Sequence, residues 1–272
     1  MCTQSTHTCY NRFFFTHPRQ ERNPVNPSQS LEDIRWLVGS EADELLDQLR
    51  SQSDSLVSVT RQLQRRHSPA RVGLLIAQSE LRRKAAAKFP GAERMFFLAQ
   101  TLEQATDIHV ARYKAKRFPS GERIADLCCG IGGDAVALAE RSPITAVDLD
   151  EVTVLLAEAN VRTLAEGDEA NPGHEFRAGD VTQFAVGSFA AWHLDPDRRA
   201  GGRRTTQLTS YAPGLETIER LRSEREEGAV KLAPATDVPE SWQEQAELEW
   251  IGRDRQCRQQ VAWFGCLAHS PG

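Results

Sequence analysis

The feature that most constrains the fold is a glycine-rich loop that stands between a short apolar strand and a helix. The predicted strand is Arg123–Leu127, the loop contains Gly130, Gly132 and Gly133, and a helix is expected from Ala135. Glycine lets the backbone turn tightly and approach a ligand that a Cβ atom would exclude. A strand, a glycine loop and a helix in this order predict the first unit of a cofactor-binding α/β sheet.

The alternation of strands and helices continues along the chain. Further strands are predicted at 144–147, 175–177, 189–194 and 229–232, with helices at 151–165 and 216–225. Two apolar segments, 246–251 and 259–264, flank a polar turn and predict an antiparallel hairpin. The predicted fold class is therefore α/β, a Rossmann-like doubly wound sheet with a terminal antiparallel hairpin, an order typical of class I S-adenosylmethionine (SAM) methyltransferases.

The chain before this sheet divides into two further regions. Residues 1–30 are rich in Thr, Asn, Pro and Gln and predict a disordered tail. From 31 to 118 apolar residues recur at helical spacing, which predicts a small helical domain, with one helix expected over 102–117. The remaining residues, 119–272, form the predicted SAM-binding domain.

Composition excludes several classes of protein. No apolar run reaches the roughly 18 residues of a membrane helix, and the N-terminus lacks a secretory pattern, so we expect a cytoplasmic protein without a membrane partner. The six cysteines form no CxxC and no Cys/His ligand spacing, so neither a metal site nor a disulfide framework is expected. The oligomeric state is not predicted.

The charge is unevenly distributed. Residues 61–120 hold 13 Lys and Arg against 4 acids, whereas the rest holds 20 against 34, and the whole chain has a net charge of −5. A basic block inside an acidic chain is typical of a protein that binds a polyanion, although an Arg-rich solvated helical face would produce the same count.

Two carboxylates near the glycine loop discriminate between cofactors. Asp148 closes the second strand, 18 residues after Gly130, where an acid accepts hydrogen bonds from ribose hydroxyls. Gly130, Gly132 and Ala135 also satisfy the dinucleotide pattern of NAD proteins. Asp126 favours SAM, because its carboxylate suits a cationic methionine amino group and would repel a pyrophosphate. A structural turn without a ligand is the third interpretation.

The loop Asp-x-x-Cys-Gly-x-Gly-Gly resembles that of the trimethylguanosine synthase-like RNA methyltransferases. A longer stretch, about 70–268, resembles a bacterial group of SAM methyltransferases that carry a THUMP-like domain after the catalytic fold. The resemblance rests on several separate motifs, among them 81–89, 102–107, 110–118, 192–200, 231–234 and 249–265. It implies a C-terminal THUMP-like domain, which we expect to be absent because the sequence stops just after the hairpin.

The resemblance also implies roles for residues at the strand ends. Asp180, after the third strand, would contact the adenine edge of SAM. Asp195 and Pro196 stand where methyltransferases of amino nitrogens carry Asp/Asn-Pro-Pro-aromatic, and a carboxylate there can hold the N–H groups of an exocyclic amine. Asp197 replaces the second Pro and Arg198 replaces the aromatic, which weakens the expectation of a stacked base. Asp195, Pro196 and Asp197 are the candidate catalytic residues.

Cations next to this motif are candidates for substrate binding. Arg198, Arg199, Arg203 and Arg204 surround two glycines, and guanidinium groups bind phosphate or carboxylate bidentately. Lys231 on the fifth strand either faces the active cleft or extends to the sheet edge. We favour a nucleic-acid backbone as the ligand of the arginines over a small acid or an internal pairing with Asp195 and Asp197.

The sequence thus predicts a SAM-dependent methyltransferase that modifies a base of tRNA or rRNA. One alternative is a methyltransferase of a small acidic molecule or a protein, and the other is a non-catalytic RNA-binding remnant of the fold.

Overall fold

The computed structural model describes residues 30–51, 56–164, 173–198 and 205–270. Residues 1–29 of the predicted tail and three of the four arginines of the predicted substrate loop, Arg199, Arg203 and Arg204, therefore lie outside the described residues.

Seven strands form one mixed sheet in the described part of the chain. They are β1 (Ile124–Leu127), β2 (Ile144–Asp148), β3 (Glu175–Ala178), β4 (Ala191–Leu194), β5 (Gly228–Leu232), β6 (Glu247–Arg253) and β7 (Gln256–Phe264). The spatial order is β3-β2-β1-β4-β5-β7-β6; β1 to β5 are parallel, and β7 pairs antiparallel with β5 and β6. The predicted doubly wound sheet with a terminal hairpin is confirmed.

Helices precede the sheet and cover both of its faces. Before it lie α1 (Leu31–Leu37), α2 (Ser40–Ser51), α3 (Leu56–Leu63), α4 (Pro69–Ala85), α5 (Ala99–Gln104) and α6 (Ile108–Ala115). Between the strands lie α7 (Gly133–Ala139), α8 (Glu151–Leu164), α9 (Leu215–Glu224) and α10 (Glu240–Gln245).

The single helix expected over 102–117 is wrong, because the chain breaks between α5 and α6. Asp107 starts α6 by accepting a hydrogen bond from the backbone N–H of His109, and Ala105 has an extended ψ of 136°. At the break, the backbone of Thr106 packs on Gly133, where an added Cβ would lie 3.0 Å from the Thr106 nitrogen. The break thus brings the helical region into contact with the start of α7.

The helical region and the sheet share one apolar core. A single buried cluster includes Ile34, Leu75 and Phe97 of the helical region together with Ala135 of α7 and Trp263 of β7. A second cluster, on the opposite face of the sheet, packs under α9 and α10. The predicted domain boundary at residue 118 stays a prediction, and the first cluster crosses it.

Candidate active site

The glycine loop leaves β1 at the point where the strand order reverses. β2 and β4 flank β1 on either side, so the carboxyl end of β1 lies at the switch point where open α/β sheets bind ligands. Gly130 and Gly132 have positive φ angles of 55° and 87°, and a Cβ on Gly132 would lie 3.3 Å from the Cα of Ala157. A Cβ on Gly130 would meet nothing within 4 Å, so this position borders open space.

Cys128 also adopts the left-handed region, with a φ of 58°. Non-glycine residues seldom do so, and such strain is concentrated at functional loops. Burial raises the pKa of the Cys128 and Cys129 thiols well above its usual value, so neither thiol is poised as a nucleophile. No sequence pattern around Cys128 indicates this backbone conformation.

Asp148 holds the glycine loop in place. Its carboxylate accepts hydrogen bonds from the backbone N–H of Gly130, at 2.9 Å, and of Asp150, at 3.2 Å. Burial raises the pKa of this carboxyl group despite these bonds. Asp180, exposed after β3, accepts a hydrogen bond from the backbone N–H of Thr182 at 2.8 Å. Gly130, Asp148 and Asp180 thus stand along one edge of the sheet.

Asp126 lies deeper than the sequence suggested. Its side chain is fully buried, and Oδ1 lies 2.7 Å from Nδ1 of His193 on the neighbouring strand β4. Burial raises the pKa of Asp126, against the effect of His193, and its second oxygen has no hydrogen-bond partner. None of the Asp126 surface is accessible in this conformation, and its predicted contact with the cofactor stays a prediction.

His193 belongs to a buried ionic group that joins the sheet to the helical region. Its Nε2 lies 3.1 Å from Nζ of Lys114 on α6, and the Lys114 ammonium lies 2.8 Å from Oδ1 of Asp134 on α7. Burial lowers the pKa of Lys114, although Asp134 opposes this shift. Burial would raise the pKa of Asp134, but Lys114, His193 and Lys231 outweigh it and hold that pKa well below its usual value.

Asp195 follows β4 directly and lies next to the end of β1. Its backbone N–H donates to the carbonyl of Leu127 at 3.1 Å, and its carboxylate is partly exposed. Pro196 is buried. The exposed Asp197 pairs through its backbone with Ala212, at 2.8 and 3.0 Å. Backbone hydrogen bonds therefore hold the segment that carries the Asp195 carboxylate at the sheet edge where the glycine loop begins.

Lys231, which the sequence predicts to bind substrate, is bonded within the protein in this structure, and its contact with a substrate stays a prediction. It is only 4% exposed, and its ammonium donates to Oδ2 of Asp195 at 2.6 Å and to Oγ1 of Thr106 at 2.8 Å. The Thr106 hydroxyl in turn donates to Oδ2 of Asp134 at 2.6 Å. Sequence reasoning missed Thr106, Lys114 and Asp134, since nothing in their local pattern marks them as partners of Asp195.

Most cations of the basic window have internal partners. Lys88 donates to the carbonyls of Leu102, Glu103 and Ala105, where it closes the end of α5, and the buried Arg82 donates to the carbonyl of Met95. Ion pairs engage Arg71 with Glu32 and Asp33, Lys84 with Glu80, Arg112 with Glu140, and Arg117 with Glu247 and Glu249. The exposed cations include Arg61, Arg65, Arg66, Arg83 and Lys116. More than half of the cations in this window therefore have a partner within the protein.

Arg198 is the only one of the four predicted substrate-binding arginines that the structure describes. It is half-buried, and its carbonyl accepts a hydrogen bond from the backbone N–H of Thr205 at 3.0 Å. It stands three residues after Asp195 on the segment that leaves the sheet edge.

Within the described part of the chain no group of three or more His, Cys, Asp or Glu side chains has the arrangement of a metal site. Among the same residues, no helix is long and apolar enough to cross a membrane.

A protein of Porphyromonas gingivalis described as a "putative methyltransferase" has a similar crystal structure. The two superpose with a TM-score of 0.60 at 18% sequence identity, over 86% of this chain and 57% of that one. Together with the sheet order and the position of the glycine loop, this similarity shows that the chain has the class I methyltransferase fold.

Sequence comparison shows that the chain belongs to a family of S-adenosylmethionine-dependent methyltransferases. Two uncharacterized S-adenosylmethionine-dependent methyltransferases, from two strains of Mycobacterium tuberculosis, are 33% identical over 207 residues. The match covers 72% of this chain and 55% of theirs, so the chain spans about half the length of these relatives. Residues 30–85, which form α1 to α4, match a family model described as a domain of unknown function, DUF8688.

Proposed function

We propose that this chain binds SAM and transfers its methyl group to an amino nitrogen of an RNA base. The observation that carries the proposal is the position of the Asp195 carboxylate, at the end of β4 and bonded through its backbone to the end of β1. An acceptor held by Asp195 would face a cofactor held by the glycine loop. The names of the Mycobacterium relatives support SAM as that cofactor.

The residues at the switch point fit SAM. Gly130 borders open space in which a Cβ would stand, and Asp148 beside it presents carboxylate oxygens that can accept further hydrogen bonds from ribose hydroxyls. The sulfonium of SAM supplies an electrophilic methyl group. The part of the protein is to hold the nitrogen of the acceptor in line with it.

Asp195 would perform this orientation. The lone pair of an exocyclic amine is delocalised into its ring, and a carboxylate that accepts an N–H bond helps the nitrogen to turn its lone pair outward. Pro196 is buried and Asp197 is tied to Ala212, so the segment that carries Asp195 is held at both ends. This role requires alignment and no strong base.

RNA is the acceptor that the arginines favour. Arg198 follows the catalytic motif, and Arg199, Arg203 and Arg204 continue the same segment of the sequence. Their guanidinium groups suit phosphates, which position a nucleic acid without specifying its sequence. A small acid could use the same arginines, so that class of acceptor is the alternative outcome of the experiment.

The experiment is transfer of tritiated methyl from labelled SAM to fractionated cellular RNA, protein and metabolites, with SAM binding measured by calorimetry. We expect label in an RNA fraction. Label only in the metabolite fraction or only in protein would overturn RNA as the acceptor, and absence of SAM binding would overturn the whole proposal.

Asp148→Ala tests the cofactor site. It should weaken SAM binding about 10- to 100-fold, the equivalent of one charge-assisted hydrogen bond of about 1.5–3 kcal/mol. An unchanged affinity for SAM would show that Asp148 does not contact the cofactor.

Asp195→Asn tests orientation of the acceptor. It should lower kcat by at least about tenfold and leave SAM affinity unchanged, because the lost contact belongs to the acceptor. Asp47→Asn, the same change at an exposed residue of α2, is the matched control. An equal loss of SAM affinity in Asp195→Asn would mark Asp195 as a support of the cofactor pocket.

Salt dependence tests the arginines. RNA affinity should fall by about 0.7 log units per tenfold increase in salt for each single-strand phosphate contacted, and the double change Arg203→Ala and Arg204→Ala should reduce that slope. A slope that this double variant leaves unchanged would exclude these two arginines as phosphate ligands.

A further inference from the structure

Lys231 and Thr106 connect the Asp195 carboxylate to the helical region. Lys231 lies on β5, and Thr106 lies 125 residues earlier in the break between α5 and α6. The Lys231 ammonium donates to both Oδ2 of Asp195 and Oγ1 of Thr106. The two donated bonds fix the ammonium between a carboxylate at the sheet edge and a hydroxyl from a different part of the chain.

The direction of the hydrogen bonds makes this arrangement rigid. The Thr106 hydroxyl donates its one hydrogen to Oδ2 of Asp134, at 2.6 Å, and so it can only accept from Lys231. Asp134 is itself held by the buried ammonium of Lys114. The hydrogen bonds from Thr106 to Asp134 and from Lys231 to Thr106 and Asp195 therefore each have a defined donor and acceptor, and the Lys114 ion pair holds Asp134 in the core.

We propose that Lys231 and Thr106 are positioning residues of the methyl-transfer site. Lys231 occupies Oδ2 of Asp195 and orients the carboxylate, and the other oxygen, Oδ1, is assigned to the N–H of the acceptor. This assignment rests on the proposed function of Asp195. It makes the helical region a structural part of the active centre, in addition to any contact that its exposed cations make with RNA.

The Asp195 carboxylate is partly exposed, so water can solvate it when the Lys231 ammonium is removed, and no fully buried charge is left without its main ion-pair partner. The Lys231 contact should therefore matter more for turnover than for folding. A misplacement of a reacting group by about 1 Å lowers rates up to about 100-fold, so loss of this support should appear in kcat.

Thr106 allows the sharper test because it touches neither the acceptor nor the cofactor in the proposed site. Thr106→Val keeps the shape of the side chain and removes the hydroxyl, whereas Thr106→Ser keeps the hydroxyl. We expect Thr106→Val and Lys231→Met to lower kcat about tenfold or more, equivalent to about 1.4 kcal/mol, with KM and SAM affinity within about twofold. Thr106→Ser should restore most of the lost rate.

Two substitutions of the same chemical kind serve as controls. Thr163→Val removes a hydroxyl that donates to a carbonyl within α8, and Lys84→Met removes an exposed lysine paired with Glu80. Both should keep the wild-type kcat. A wild-type kcat in Thr106→Val, failure of Thr106→Ser to restore the rate, or a parallel loss of SAM affinity would each overturn the positioning role.

The outcome is separable from that of the proposed function. If the wild type methylates protein or a metabolite, RNA fails as the acceptor, and the kcat comparison is made on the acceptor that is methylated. If it methylates nothing, the contact between Lys231 and Thr106 is tested by the midpoints of urea unfolding. These are measured for Thr106→Val, Lys231→Met and the double variant. The double variant should lose less than the sum of the single shifts in midpoint, since one contact is lost in all three. Additive shifts would overturn the contact itself.

Discussion

The two faces of the sheet are built on different chemistry. The face under the helical region carries Asp126, His193 and Lys231 on β1, β4 and β5, and opposite them lie Lys114 and Asp134. The other face is aromatic: Trp192, Trp242 and Phe264 are fully buried there, and Trp242 packs edge-on against Phe264 at 5.0 Å. The same strands contribute to both faces through the alternation of their side chains.

The difference shows which face serves the site. Apolar packing on the aromatic face holds α9 and α10 against the sheet. The charged face forms a continuous set of hydrogen bonds that reaches Asp195 at the sheet edge. We infer that the charged face gives up part of its apolar burial to fix the geometry of one carboxylate.

The largest expected effect is a loss of stability when Lys114, on the charged face, is replaced. Lys114→Met leaves Asp134 buried without its main ion-pair partner, and removal of one member of a buried pair lowers the free energy of unfolding by about 3–5 kcal/mol. Urea or thermal unfolding measures this loss.

The control for Lys114→Met removes the stranded charge as well. Lys114→Met combined with Asp134→Asn leaves no unpaired carboxylate, and Asn can still accept the bond from Thr106. The double variant should therefore be more stable than Lys114→Met. If it is less stable, the charge of Asp134 is not what destabilises the single variant.

The next effect tests the aromatic face at Gly228. A Cβ added there would lie 2.2 Å from ring carbons of Trp192, whose indole N–H is held by the carbonyl of Arg225 at 2.8 Å. Gly228→Ala should lower the free energy of unfolding by about 1–3 kcal/mol through overpacking. Gly73→Ala, in α4 with nothing within 4 Å of the added Cβ, is the control. Equal stability of the two variants would show that the Trp192 ring can move aside.

The smallest expected effect is a pH dependence of stability that comes from the ion pair between Arg117 and Glu247, which lie 2.6 Å apart. The hydrogen bond from Arg117, together with backbone N–H groups, lowers the pKa of Glu247 to about 2. Because the folded pKa lies below the unfolded value, this stabilisation is present at neutral pH and is lost as the pH falls from about 4.5 to about 2.

Glu247→Gln should therefore lower the Tm at pH 7 and have little effect near pH 2. Thermal melts of both proteins across this range measure the difference. Glu158→Gln, which removes one member of a partly exposed i,i+4 pair on α8, is the control. A Tm difference that does not depend on pH would contradict the assignment of the shift to Glu247.

The fold followed from the sequence because its signals are local. Alternating apolar strands and helices predicted all seven strands that the structure describes, with bounds that differ by a few residues. The helix expected over 102–117 was wrong because its apolar spacing continues across the break. The contact of Thr106 with Gly133 that fixes the break joins residues far apart in sequence.

The candidate site was predicted only in its local part. Asp148 and Asp195 stand at strand ends, and strand ends are visible in the sequence. The partners of Lys231 were not visible, since Thr106 lies 125 residues away and Asp195 lies 36 residues away. The count of basic residues likewise could not separate cations that pair internally from those that remain exposed.

The sequence by itself determined the order of the elements, the glycine loop and the carboxylates that follow the strands, because each depends on neighbours within a few positions. The tertiary structure alone decided that Asp126 is buried against His193, that Lys231 contacts Asp195 and that most cations of the basic window have partners within the protein. Burial and ion pairing depend on which distant surfaces meet, and that is settled only when the helical region packs on the sheet.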